Sequence, residues 1–534
     1  MTTPASHASK PMAATAWRRP GSVRRAYAAG RFGQLHYRIA GESASNRVPV
    51  LFIHASPTSG RHFEPVLAEL GTDRLALAPD TPGFGDSDAP VSPPEIDDYA
   101  AALGEFVLGL GLERVDVVGY HTGSKIGCAL ALQRPGLVRR LAFVSTSIYT
   151  VAELEGQRRD FADPGVPRDG SHIAARWAFL NRWCKPDIPL IVRHKAVAEY
   201  LKSGPLAHWG HRAAFNYTHA EHLPKLSHPV LVFNFDDDLR VPTSRASQYL
   251  RNGRVLDVPW AHGSIEVHAA EFARLLREHF DTPDRAGLSA APSELIPTAG
   301  PAQTPALHRQ FLQHDGALVH LRETQPAVDD RPPLLLLHAT PNSGRMFEAL
   351  QPEIGGDRRT LAIDLPGHGE SDALATAPSI EDYADVVAAS IAALGLEKLD
   401  VLGIYAGAQV AIELALRQPA LVRRVLLADA PEVPAQARAA AHAANPPLIL
   451  RPDGSHDVER YRALRAGTPE TVSDPIVARD FAESLRGGPM AWWGRRAAID
   501  YEPRARKLLL EQPAIELRAS AALDAAAVRR ALDA

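Results

Sequence analysis

Only two of the 534 residues are cysteine, Cys128 and Cys184. Two thiols so placed give no disulfide framework and no metal-ligand pattern, which fits a reducing compartment and a cytoplasmic location. Long apolar runs are also missing. Nothing approaches the roughly 18–20 residues that a membrane span needs, so no membrane partner is expected. Charge of one sign is scarce as well: 58 basic residues against 62 acidic ones leave a net charge of −4. No basic block is long enough to suggest nucleic acid. The first 27 residues contain several arginines and no acid but lack the ~7–15-residue apolar core of a secretory signal. That composition also suits a transit peptide; the simpler reading is a disordered basic tail over 1–27.

What the chain does have is enough length for two domains and the composition of a globular protein, 45% apolar and 22% charged. It also has a repeat. "HASPTSGRHFE" at 54–64 returns as "HATPNSGRMFE" at 338–348, an offset of 338 − 54 = 284 residues. The same offset takes Asp80 to Asp364, Gly119 to Gly403, Pro135 to Pro419 and "DGSH" at 169–172 to 453–456. One offset held over so much chain means a tandem duplication with few gaps. Copy one spans 28–282 and copy two 310–534. Between them, 283–309 is rich in Pro, Ala and Ser and reads as a linker.

Within copy one, short apolar runs such as "PVLFIH", "RLALAPD", "VDVVGY", "LAFVSTS", "PVLVFNF" and "RVLDVPW" alternate with helical patterns. Continuous apolar strands with helical crossovers predict an α/β fold, a mostly parallel sheet with helices on both faces. The stretch from about 150 to 225 holds no strand pair and reads as a helical cap. In copy two the chain stops before the counterpart of Arg251–Phe280. The loss of that strand and helix predicts an unpaired sheet edge and an uncovered apolar face.

The chemistry concentrates at "DVVGYHTGSKIG", Asp116 to Gly127. A strand leading into Gly-x-X-x-Gly and then a small-residue helix is the context of a nucleophile elbow. Its middle residue is usually Ser, sometimes Cys or Asp; here it is His121. With "HASP", "DTPGFGDSD", "FDDDLRVP" and "AHGS" in this order, copy one resembles the α/β-hydrolase superfamily. The nearest likeness is to its capped haloalkane dehalogenase and epoxide hydrolase group. Those segments cover nearly all of copy one and most of copy two.

The resemblance implies roles for particular residues. The acid four residues before Pro242 is Asp238, with Asp237 the fallback, and the loop histidine is His262. "HASP" matches the HGxP oxyanion motif, so the amides of Ser56 and Thr122 are the expected oxyanion donors. The side chain of His54 is expected to be structural, as is Ser124. Without an elbow aspartate, an alkyl-enzyme ester has no nucleophile, and Thr122 stands where those enzymes commonly carry tryptophan. A helix N-terminus and a neighbouring histidine both favour neutral imidazole at His121, which is a nucleophile and a base.

Two functions compete at this level. One is a cofactor-free, metal-free hydrolase acting on a small ester, thioester or carbonyl substrate through copy one. The other is a non-catalytic ligand-binding or scaffolding protein. Trp177, Trp183, Trp209, Tyr217, His208, His211, His219 and His222 populate the cap, either for an apolar substrate or for plain packing. A homo-oligomer is compatible with either function. Copy two has Tyr405 at the elbow and Ala522 at the acid position, and the chain ends before a histidine, so no catalysis is expected there.

Overall fold

A computed structural model describes residues 22–42, 46–162, 165–283, 307–326, 331–518, 520 and 523–533. The chain forms two compact units. One contains the described residues of 19–305 together with 452–479; the other contains those of 306–451 and 480–534. Division by repeat and division by compactness therefore differ over 452–479. Among the described residues no helix is long and apolar enough to cross a membrane.

The first unit carries an eight-stranded sheet. Its strands are β1 (Arg24–Gly30), β2 (Gly33–Ala40), β3 (Val50–Ile53), β4 (Ala76–Pro79), β5 (Val115–Tyr120), β6 (Val138–Val144), β7 (Val230–Asn234) and β8 (Gly253–Asp257). They lie in the order β1-β2-β4-β3-β5-β6-β7-β8. The pairs β1/β2 and β2/β4 are antiparallel and the rest parallel. Because β1 begins at Arg24, residues 24–27 belong to the sheet and not to the tail. Most of the tail, and 284–306 of the linker, lie outside the described residues.

Alternation along the strands separates two cores. Leu51, Ile53, Leu77 and Val117 face the helices Ile96–Gly109 and Thr122–Gln133. Phe52, Ala78, Val118 and Phe233 face Glu64–Leu70 and Ala269–Phe280. Strands buried on both faces are what a parallel sheet requires. At the strand ends Asp80 is fully buried. It accepts from Arg38 at 2.7 Å and from the amides of Gly60 and Asp86 at 2.8 and 3.0 Å, and its Oδ2 lies 2.8 Å from His36 Nδ1. These bonds hold its carboxyl well below the usual range although burial pushes the other way.

The cap fills the interval between β6 and β7 with the helices Val151–Asp160, Ser171–Trp183, Leu190–Lys202 and Ala207–Asn216. The helix Ser455–Gly467 completes this unit. Trp177 Nε1 donates to Asp457 at 3.0 Å, and His194 Nδ1 lies 3.1 Å from the same carboxylate. A Cβ on Gly454 would stand 2.1 Å from Trp177, and one on Gly170 would stand 3.1 Å from Tyr461. Since 170 + 284 = 454 and 177 + 284 = 461, the contact is reciprocal between the two repeats. The rings of Trp177, Trp183, Trp209 and Tyr217 do not line the cavity described below; Trp177 is buried in this contact instead.

The second unit repeats the sheet without its last strand. It contains β9 (His308–His314), β10 (Ala317–Thr324), β11 (Leu334–Leu337), β12 (Thr360–Ile363), β13 (Leu399–Ile404), β14 (Val422–Ala428) and β15 (Ala514–Leu517). Their order is β15-β14-β13-β11-β12-β10-β9, which leaves β15 at an edge. The apolar face is not uncovered, contrary to the expectation from length. The helix Ala525–Asp533 buries Ala525, Val528, Ala531 and Leu532 against Leu336, Phe347, Leu402 and Leu426. That is the face which Ala269–Phe280 covers in copy one, reached here by an amphipathic helix from another place in the repeat. Ala522 lies outside the described residues.

Both elbows depend on glycine for backbone approach rather than for rotation. A Cβ on Gly119 would lie 2.4 Å from the carbonyl oxygen of Gly123, and one on Gly123 would lie 2.1 Å from that of Ile53. Gly403 and Gly407 are equally confined in copy two, each 2.2 Å from a carbonyl oxygen. Gly123→Ala must part the elbow helix from β3 and should destabilise the protein by about 3 kcal/mol. Gly109→Ala has open space around it and should be neutral or stabilising by up to ~1 kcal/mol. Chemical denaturation of both variants checks the contrast.

Candidate active site

His121 sits between β5 and the helix Thr122–Gln133 with φ 49° and ψ −112°. A non-glycine residue in that region marks a strained turn. Its neighbours sustain the turn: the His121 amide donates to Val144 O at 3.0 Å, and Ser124 Oγ donates to His121 O at 2.6 Å. Ser124 is fully buried and occupied, so it is no substitute nucleophile. Tyr405 keeps the same turn in copy two, with φ 51° and ψ −117°.

The structure gathers His121, Asp238 and His262 at one cavity. His262 Nε2 donates to Asp238 Oδ1 at 2.7 Å, and its Nδ1 lies 3.3 Å from the Tyr120 hydroxyl. The rings of His121 and His262 stand 5.4 Å apart at 72°. Asp237, which the sequence offers only as a fallback acid, has its own work. Its Oδ2 lies 3.4 Å from His121 Nε2 and accepts from Ser145 Oγ at 2.5 Å, while Oδ1 accepts the Leu239 amide at 2.9 Å. The site is therefore two imidazole–carboxylate pairs side by side and not one linear triad. Adjacent aspartates in "FDDDLRVP" allowed this reading, but only the fold assigns each to a histidine.

The electrostatics follow from the pairing. Burial would raise Asp237, yet the bond and charge of His121, the charge of His262 and the Ser145 bond bring it down to about 2. Asp238 is lowered in the same way, against burial, by His262 first. Burial disfavours the His262 cation, but Asp238 and Asp237 outweigh it and hold the imidazole above its ordinary value.

Ser56 lines the cavity, and Thr122 opens the helix immediately after His121. Neither amide has a hydrogen-bond acceptor among the described residues. His54 points away from chemistry: Nδ1 donates to Ala55 O at 2.9 Å and Nε2 accepts the Thr81 amide at 2.9 Å. Burial pushes its pKa down to about 4. Of the cap histidines only His211 lines the cavity, and burial, then Arg176 and His121, push it down to about 3. Phe161, Arg176 and Phe179 also line the cap side, three residues the sequence did not single out.

Donor atoms of His121, Asp237, Asp238 and His262 all lie within 4.8 Å of one another, a set that could hold a cation. Here, however, each imidazole faces a carboxylate at hydrogen-bond distance. An ion would have to replace both bonds, so the set fits two proton-sharing pairs better than a metal.

The Asp238–His262 pair has a defined pH window. The raised His262 contributes stability fully below its unfolded value near 6.5 and loses it as pH rises through the folded one. The lowered Asp238 contributes above its unfolded value near 3.8 and loses it as pH falls through the folded one. Asp238→Asn should move the His262 midpoint down, read by NMR titration of the ring protons. Its stability deficit should be larger at pH 5.5 than at pH 9, and an unchanged midpoint would contradict the assignment.

A family model described as alpha/beta hydrolase fold matches residues 48–269 and again 332–505. "Haloalkane dehalogenase 2" of Mycobacterium tuberculosis is 33% identical over 115 residues, 21% of this chain and 39% of that protein. "Soluble epoxide hydrolase" of Corynebacterium sp. is 30% identical over 105 residues, 20% of this chain and 37% of that protein. The chain thus spans about two fifths of the length of these relatives. Among solved structures, the enol-lactonase from Burkholderia xenovorans LB400 aligns with a TM-score of 0.43 at 21% identity, over 48% of this chain and 100% of that one. With its model matched in both repeats, the chain belongs to the α/β hydrolase fold family.

Proposed function

We propose that copy one is a cofactor-free hydrolase of small esters, thioesters or related carbonyl compounds, with His121 as the reacting group. One observation carries the reading. Asp237 Oδ2 lies 3.4 Å from Nε2 of the elbow imidazole, and among the described residues no hydrogen bond is made by Nδ1. The ring also lines the cavity. Nδ1 stands two bonds from Cβ, the same reach that an aspartate oxygen has from an elbow.

In this mechanism the Nδ1 lone pair adds to the carbonyl carbon, and the oxyanion meets the amides of Ser56 and Thr122. Each such donor is worth roughly 3–4 kcal/mol in the transition state. The tetrahedral adduct collapses by breaking the bond to the leaving group, which takes a proton from the His262 imidazolium. The acylated ring carries a positive charge that the Asp237 carboxylate balances. Water then adds to the acyl carbon and returns a proton to His262; the carbon–nitrogen bond breaks and the acid leaves.

A ligand-binding protein without turnover is the second reading, and the strained turn at Tyr405 supports it. Copy two keeps the elbow geometry with no catalytic set, so the geometry alone does not require catalysis. Turnover of p-nitrophenyl acetate separates the two readings. His121→Ala and His262→Ala should each lose about 100-fold or more in kcat/KM. Ser124→Ala should lose little, and a chelator should have no effect. Full turnover by His121→Ala, or none by the wild-type protein, would overturn the proposal.

A further inference from the structure

The cap wall of the cavity holds a cation that the fold leaves unneutralised. Arg176, on the helix Ser171–Trp183, lines the same cavity as His121, His262 and Ser56. Its guanidinium carbon lies 5.0 Å from the centre of the Phe179 ring and 4.7 Å from that of Tyr200. Among the described residues no carboxylate pairs with it and no acceptor meets its buried Nε. The nearby acids are engaged elsewhere: Asp238 with His262 at 2.7 Å, and Glu266 with Lys195. Among the described residues Arg193, the other arginine of this wall, donates to two neutral oxygens, Asn181 Oδ1 and Lys185 O, both at 2.9 Å.

Removing a guanidinium from water without a counter-charge is costly, and the aromatic faces return only part of that cost. A planar fork held over two rings keeps its donor edges for one planar acceptor, which is how arginine reads a carboxylate. The cavity gives about 90 Å³ to the centre of a water-sized sphere and opens to solvent. That is room for a small ligand spanning the cap wall and the elbow.

We propose that Arg176 anchors a carboxylate on the substrate, so that copy one takes short monoanionic esters or lactones in preference to neutral ones. The proposal rests on the hydrolytic reading above and names its substrate class. In each reacting ester the carboxylate stays at the cap while the carbonyl at the far end meets His121.

The test uses the full-length protein and two independent readouts. Calorimetry with succinate, succinamide and inorganic phosphate reads the anchor without turnover. Hydrolysis of monomethyl and dimethyl glutarate reads the preference during turnover. The wild-type protein should bind succinate and not succinamide, and should favour the monoester. In Arg176→Gln the ratio of kcat/KM for monoester over diester should fall by ~30-fold, the size expected for one charged hydrogen-bonded pair. Arg176→Lys, which keeps the charge and loses the fork, should fall in between.

Failure of hydrolysis with succinate binding intact and weakened by Arg176→Gln would sink the hydrolytic reading and leave the anchor standing. Hydrolysis without monoester preference, or succinate binding indifferent to Arg176→Gln, would overturn the anchor. Phosphate bound more tightly than succinate would overturn the choice of carboxylate. Should Arg176→Gln fail to fold, the wild-type comparison of succinate with succinamide decides alone.

Discussion

The approach of the elbow helix to the strands beneath it is the constraint on which the rest of copy one depends. With the Gly123 Cα in van der Waals contact with the Ile53 carbonyl, no side chain fits between helix and strand. That closeness holds His121 in a strained turn at the cavity, with Thr122 opening the helix directly after it. The positions of His121 and of the Thr122 amide are consequences of one backbone contact. The same contact in copy two holds Tyr405 in the same pose, so the fold sustains the turn whatever side chain it presents.

Around that turn, charge is arranged by pairing in place of exposure. Asp237 and Asp238 are adjacent in sequence and would repel, yet each meets its own imidazole, and both are held ionised. The pairing also explains why the cap carries Arg176 without a carboxylate partner among the described residues: the floor consumes its own carboxylates.

Much of this was legible in the sequence. The 284-residue offset fixed the duplication, and strand runs with glycine-flanked His121 fixed the sheet and elbow. Asp238 and His262 meet as their positions implied. Pairings between distant segments were not legible. Asp237 reads as a spare acid until β7 and the elbow are brought side by side. Arg176 reads as one more cap arginine until the lack of a partner is visible. Trp177 suited a substrate wall or plain packing equally, and it packs, buried against Asp457, because 452–479 belongs to the same compact unit. The final helix of copy two was missed for a different reason. Its apolar stripe is short, and the offset aligns it with a segment that packs elsewhere.

The central claim is that His121 itself becomes bonded to the acyl group. Rapid quenching of the protein with an activated ester, followed by peptide mass mapping, tests it directly. The account predicts a transient acyl addition on the peptide containing His121, absent from His121→Gln. An adduct on another residue, or ester hydrolysis with no adduct at any time, would contradict it.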